Sequence, residues 1–525
     1  MIMVRIITNR MGHSYRVLEP TKLSKPPEDL QISRAQKSWK SYFSLLGNTI
    51  LMALIVQSSA TTLIGLLEFN SAITFGGAIC TLPLLALLLS IHKPKLIEVR
   101  LVTTNENGMC AHALPEGGSI MTQTPSDMHR FIVRDDSILD TPPSRRIWLI
   151  FTSLLILAAI FSVFENNGGT VGSVASYVVG IPLVFALFSI PAYAWLSSSS
   201  KLIGMPTRLR EAESWLFAGM AAGLPAILIN SWLTPTLIPS GWAASTGEIL
   251  TIVLSAPIGE EFFKAIAVAC FLPMMRGPKH GFQIGFTVGL GFAISENLLY
   301  ISSAFAVEGL DGLLFTSLLR GIGSIPGHAV WTSISGTAIG WWVSDSKNRA
   351  RVLFFVNQFS STAMTIVETI GIDVDMDGDF SGYDGPEYSM VDALGEAEVP
   401  ISESGWTISS DGIPSIITSL IPKSNENTYS EGSVTYEKIT LDLEHYRAGR
   451  QIQMPKSVFF GLLFAIIGHM SWNGLLIFST LLLEKLHASE LIIGLVSIII
   501  LLGMIILVLF IAKYSMRGIQ SIAFH

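Results

Sequence analysis

The sequence predicts an all-α polytopic membrane protein of about ten transmembrane helices, and three observations carry that prediction. Hydrophobic residues make up 50% of the 525 positions and charged residues only 14%, with a mean hydropathy of +0.53, a balance far from that of soluble chains. The apolar residues gather in runs of about 20, the length a helix needs to cross the bilayer core. Lys and Arg concentrate in every second loop between those runs, as the positive-inside rule requires.

Taken in order, residues 1–41 are polar and basic, and the run that follows lacks a small-residue cleavage site, so a cytoplasmic N-terminal segment leads into an anchored span. The apolar runs cover 43–67, 71–92, 147–165, 171–198, 214–235, 247–273, 281–305, 312–343, 457–483 and 489–513. Arg34, Lys37 and Lys40 precede the first, and Lys93, Lys95, Arg145 and Arg146 flank the loop after the second. Lys201, Arg208 and Arg210 follow the fourth, Arg276 and Lys279 the sixth, and Lys513 and Arg517 the last. The alternation puts both termini in the cytoplasm. Residues 42–245 then hold five spans, residues 246–345 and 457–485 form a core, and 486–525 hold the last span and a tail.

Two cytoplasmic loops are long. In 93–146, the alternating runs Lys95 to Thr104 and His129 to Asp135 are expected to pair as a small β element. Residues 346–456 form an acidic insertion that starts with an apolar stretch, Val352 to Ile370. Asn357, Gln358, Ser360, Ser361 and Thr362 interrupt that stretch, which fits an interfacial helix better than a span. Further on, Asp373, Asp375, Asp377, Asp379, Ser381 and Asp384 match the spacing of a calcium loop, with Gly378 at the sixth position. Asp384 stands where that pattern wants Glu, and an acidic linker is the plainer reading.

Composition excludes other classes. The net charge of −7 comes with no basic stripe, so nucleic acid is not a partner. Cys80, Cys110 and Cys270 are scattered, which fits neither a disulfide framework nor a Cys-based zinc site.

The chain is organised around Ser255-Ala-Pro-Ile-Gly-Glu-Glu-Phe-Phe-Lys264. Ionised groups at mid-bilayer cost at least about 2.5–3.5 kcal/mol each on insertion scales, so Glu260, Glu261 and Lys264 need partners or a task. Glu296, His328, His469 and Asn473 lie at similar depth in three other spans. Positions four apart share a helix face, which pairs Glu260 with Lys264, Phe292 with Glu296, and His469 with Asn473. Clustered carboxylates suit general-base chemistry, and imidazole or amide donors suit a developing oxyanion. The same Glu and His set is equally able to ligate a divalent metal.

Glu260-Glu261-x-x-Lys264, Phe292-x-x-x-Glu296, His328 and His469-x-x-x-Asn473 together resemble the four-motif pattern of the PrsW family of intramembrane proteases, related to the CAAX prenyl proteases. Glu296-Asn297-x-x-Tyr300 and Trp472-Asn473 add to the match, which covers roughly residues 245–345 and 457–485. The resemblance implies a peptidase that cleaves membrane-anchored proteins in the bilayer of a prokaryotic plasma membrane. It makes Glu260 the water-activating base, with Glu261 and Glu296 sharing the proton. His328 would meet substrate or water, and His469 with Asn473 the oxyanion. Lys264, Phe292 and Asn297 support them. No cofactor is required on that reading, and the lack of a His-x-x-x-His pair argues against tightly held zinc, with a metal at the cluster as the alternative. Arg320, eight residues before His328, reads as a snorkelling or loop-contacting charge outside the catalytic set. The competing classes are an ion- or proton-coupled transporter or channel and a non-catalytic scaffold of the same superfamily.

Overall fold

The computed structural model describes residues 4–8, 14–18, 37–92, 96–113, 119–134, 139–205, 207–239, 241–369, 406–410, 413–417 and 453–520. The chain divides into a larger unit, residues 34–93, 137–354 and 447–525, and a smaller one, residues 1–33, 94–136 and 355–446.

The larger unit is helical. It runs through α1 (Ser38–Leu67), α2 (Ser71–Ile91), α3 (Ser144–Asn167), α4 (Gly169–Leu187), α5 (Ile190–Ile203), α6 (Leu209–Ala221), α7 (Gly223–Leu228) and α8 (Thr234–Leu237). It continues with α9 (Ala244–Leu250), α10 (Ala256–Ala269), α11 (Pro278–Leu319), α12 (Ile325–Val343), the start of α13 (Ser346–Thr369), α14 (Val458–Lys485) and α15 (Glu490–Gln520). Among the described residues, eight helical runs are long and apolar enough to cross a membrane. One of them, Pro278–Val343, covers two of the expected spans. These are divided by Gly309 at φ 62°, where Glu165 Oε2 accepts from the Leu310 amide at 3.1 Å. The expected span at 247–273 is not among the eight, because its motif charges lower its apolar character. The polytopic helical class holds.

Helix α11 is the centre of this unit. Every residue from His280 to Ile294 is buried, so this stretch is enclosed by protein on all sides. Small residues allow that enclosure. Gly281, Gly285 and Gly289 recur every fourth residue and face α12, where Gly336 and Gly340 answer them. A Cβ at Gly285 would lie 3.0 Å from the Ser333 Cα, and one at Gly289 would lie 2.7 Å from the Ala329 Cα. The two backbones therefore touch, which is how helices associate where lipid offers no hydrophobic drive. The contact fixes the height and rotation of His328, one residue from Ala329.

Glu213 of α6 anchors the first two helices. It is buried and accepts from Asn48 Nδ2 of α1 at 2.5 Å and from Arg210 Nη1 at 2.6 Å, and His92 Nε2, just past α2, lies 2.9 Å away.

The smaller unit is built on strands: β1 (Val4–Thr8), β2 (Ser14–Leu18), β3 (Leu96–Ala113), β4 (Ser119–Arg134), β5 (Trp406–Ser410) and β6 (Ile413–Ile417). β1 and β2 form a hairpin, and the others form an antiparallel sheet in the order β4-β3-β5-β6. The two runs of the first long loop do pair, from Leu96 opposite Arg134 onward. β5 adds to β3 through Leu101 opposite Ile408, so the insertion and the first loop supply one sheet. The stretch from Val352 is helical within α13. The calcium-loop candidates Asp373 to Asp384 lie outside the described residues.

Because α11 and α12 meet through glycine, Gly285→Val should destabilise the bundle by about 1–3 kcal/mol through overpacking. A substitution at Gly494, where an added Cβ has nothing within 4 Å, should not. Unfolding midpoints of the two variants in detergent check this.

Candidate active site

Three helical runs widen into π-type turns beside one cavity: Ile229–Leu233, Thr251–Ser255 and Arg320–Ser324. Each is followed, two residues after its end, by a proline: Pro235, Pro257 and Pro326. Proline has no N–H, and its ring crowds the carbonyl four residues earlier, so the preceding turn opens and takes in an extra residue. Carbonyls loosened in this way find side-chain donors. Asn473 Nδ2 donates to the Ile252 carbonyl at 2.9 Å, and Trp195 Nε1 to that of Gly321 at 3.3 Å. The hydroxyls of Thr234 and Ser255 bond each other at 2.5 Å, linking two of the widened segments.

The cavity has a volume of about 340 Å³ and is bordered by Glu260, Glu296, Arg320, His328, His469 and Asn473, with Asn230 and Gln57 also on its wall. Lys264, fully buried one turn beyond Glu260, donates to Glu261 Oε1 at 2.7 Å, approaches His328 Nδ1 at 2.9 Å and lies 3.6 Å from Glu260 Oε2. Its ammonium also sits 4.0 Å from the centre of the Phe292 ring, which explains the phenylalanine of the second motif as a cation–π floor. Glu261 is equally buried. Its Oε1 also lies 3.0 Å from His469 Nδ1, and Thr332 Oγ1 donates to its Oε2 at 3.3 Å. Holding Nδ1 in this way leaves His469 Nε2 turned toward Glu260 Oε2, 3.8 Å away.

His328 Nε2 meets Glu296 Oε2 at 2.9 Å, and the His328 and His469 rings pack edge to face with centroids 4.8 Å apart. The expected set, Glu260, Glu261, Lys264, Phe292, Glu296, His328 and His469, is thus one contiguous cluster drawn from α10, α11, α12 and α14. Asn297 belongs to its support, donating to the Phe188 carbonyl at 3.3 Å.

One expectation needs correction. Arg320 is no snorkelling charge: it bonds Glu296 Oε2 at 2.5 Å, bonds Asn297 Oδ1, and lies 4.3 Å from the centre of the Tyr300 ring. The available signal was its offset of eight residues, close to two helical turns, which puts it on the same face of the run as His328. Asn473, expected as an oxyanion donor, lines the cavity and gives one amide N–H to the Ile252 carbonyl of the widened turn.

Three carboxylates, Glu260, Glu261 and Glu296, stand against two basic side chains, Lys264 and Arg320, and Glu260 Oε2 is buried without a hydrogen-bond partner. Glu260, His328 and His469 each offer a ligand atom, and these atoms lie within 4.8 Å of one another. A carboxylate and two imidazoles are a donor set suited to a zinc-class ion. The argument against a metal from the missing His-x-x-x-His pair loses its ground, since the two imidazoles come from different helices and still meet.

Comparison with known proteins agrees with the motifs. Residues 213–365 match the model of a family described as PrsW family intramembrane metalloprotease, so the resemblance holds over the first three motifs. The match ends before His469 and Asn473. No curated protein matches the chain, and no solved structure matches it either. The apolar helices and this family together make the chain an integral membrane protein.

Lys264 and Glu261 are a fully buried pair, so Lys264→Met should cost about 3–5 kcal/mol by stranding the carboxylate. The double variant Lys264→Met/Glu261→Gln should recover much of that loss. Chemical unfolding of the wild type, single and double variants in one detergent measures both.

Proposed function

We propose that this chain is an intramembrane endopeptidase of the PrsW type that hydrolyses membrane-anchored proteins with the aid of a divalent metal. The carrying observation is the convergence of Glu260, His328 and His469 from three helices on one cavity, with Glu260 Oε2 unpartnered. On this reading both termini face the cytoplasm of a prokaryotic cell.

Glu260, His328 and His469 would hold the ion. An ion bound there supplies Lewis acidity and a water acidified toward neutral pH. The protein's own groups do the rest. Glu261 fixes His469 through Nδ1 and so chooses the nitrogen presented to the cavity. Lys264 balances Glu261 and lies 2.9 Å from His328 Nδ1, packing against that ring. Glu296 is the remaining carboxylate on the cavity wall and carries the proton of the attacking water to the leaving amine. Arg320 orients Glu296 and bears charge beside it as the carboxylate gains and loses that proton. This assignment moves the base from Glu260, where the family resemblance puts it, to Glu296.

The test is reconstitution with single-span substrates in lipid, together with elemental analysis of the purified protein. Glu296→Gln should lower cleavage about a hundred- to ten-thousand-fold, the usual worth of a general base, and retain the ion. Glu260→Gln should lose cleavage and ion together. A wild-type protein that cleaves without any divalent ion, even in chelator, would return the base to Glu260 and remove the metal. A wild type that cleaves none of the substrates overturns the peptidase assignment.

A further inference from the structure

We infer that Asn230 receives the main chain of the substrate: its side-chain amide is the group that accepts an N–H of the peptide once that peptide is unwound at the site. The inference rests on the peptidase reading and adds to it a residue outside all four motifs.

A peptide bond can be hydrolysed only where its carbonyl is accessible, and in a membrane-spanning helix every carbonyl and N–H of the segment is internally bonded. Unwinding frees those groups at a depth where water does not satisfy them, so the enzyme must offer partners. Several polar groups on the cavity wall are already committed. Arg320 is held by Glu296 and Asn297, and the Asn473 amide by the Ile252 carbonyl. The Thr251 hydroxyl is held by the Gly247 carbonyl, and that of Ser295 by the Phe292 carbonyl. His328 and His469 are bonded within the cluster. Two buried acceptors on the wall remain without a donor among the described residues, Glu260 Oε2 and Asn230 Oδ1. The first belongs to the chemistry. The second has no role in it.

The placement of Asn230 fits such a task. It lies in the widened turn Ile229–Leu233, which Pro235 follows, and a π-type turn carries its side chains at positions a regular helix does not provide. An amide side chain offers an acceptor and donors side by side, so it can take an N–H and a neighbouring carbonyl of an extended strand as a β ladder does. Along the same wall run Ala53, Val56 and Gln57 of α1, a helix outside the family-matched residues. The substrate cleft is therefore only partly built from the segment the family shares.

The experiment uses the full chain in lipid nanodiscs and synthetic single-span peptides in which successive backbone amides near the scissile bond are replaced, one at a time, by esters. An ester keeps the shape and removes one N–H. Two quantities are read for wild type and Asn230→Leu: kcat/KM for cleavage, and peptide affinity by fluorescence anisotropy in a Glu260→Gln background. At one ester position the wild type should lose about tenfold in both, the size of one hydrogen bond, while Asn230→Leu shows no loss there. Asn230→Leu should also unfold no more easily than the wild type, since it removes a buried group that has no partner, and Asn230→Ala is read in the same way. Equal ester penalties in wild type and variants at every position overturn the role of Asn230 and leave hydrolysis standing. An Asn230-dependent ester penalty in affinity, without cleavage by the wild type, supports Asn230 as the main-chain receptor and overturns the peptidase reading.

Discussion

Placing charge in an apolar interior is the constraint on which the rest of this structure depends. Lys264 and Glu261 are both fully enclosed and 2.7 Å apart, and neither is tolerable without the other. Around that pair every neighbour has a share in the compensation. Thr332 and His469 also bond Glu261, the Phe292 ring faces the ammonium, and Lys264 reaches across to His328. Because these groups come from four helices, the electrostatic requirement is also what registers the helices with one another. The glycine contact between α11 and α12 serves the same end, letting His328 come within reach of a cation carried by α10.

Much of this was legible in the sequence because lipid leaves few choices. Runs of about 20 apolar residues, alternating basic loops and costly intramembrane charges are strong signals, and they located the helical class and the members of the cluster. What the sequence could not supply was the pairing inside the cluster. Spacing of four puts Glu260 with Lys264 on one face, yet the shorter contact of Lys264 is to Glu261, three residues away. Asn473 shares a face with His469, but it spends its amide on a backbone carbonyl that only a widened turn leaves free. Arg320 was misread because a cation some turns from a motif is ordinarily a surface charge, and only the position of Glu296 reveals otherwise.

The three widened turns show a signal that was present but not decisive alone. Pro235, Pro257 and Pro326 each follow one, while Pro83 and Pro182 sit inside α2 and α4 without any. Proline permits the extra residue, and what retains it is a set of side chains placed to hold the displaced carbonyls, which is a tertiary property. In the same way the four-residue glycine repeat of α11 is visible in the letters, but its partner helix is not. The pairing of β5 with β3 joins segments some three hundred residues apart, and neither strand's own pattern announces the other.

The insertion between α12 and α14 separates His328 from His469 in time as well as in sequence. A ribosome adding roughly 5–20 residues per second needs on the order of ten seconds to make that stretch. Throughout the interval Glu260, Glu261, Lys264, Glu296, Arg320 and His328 are already in the chain, and the second imidazole is not. The early helices can enter the bilayer with their charges paired, while the donor set stays one ligand short. On the proposed reading, biosynthesis thus delays completion of the site until nearly the whole chain is made, and a nascent or truncated copy would lack its last imidazole.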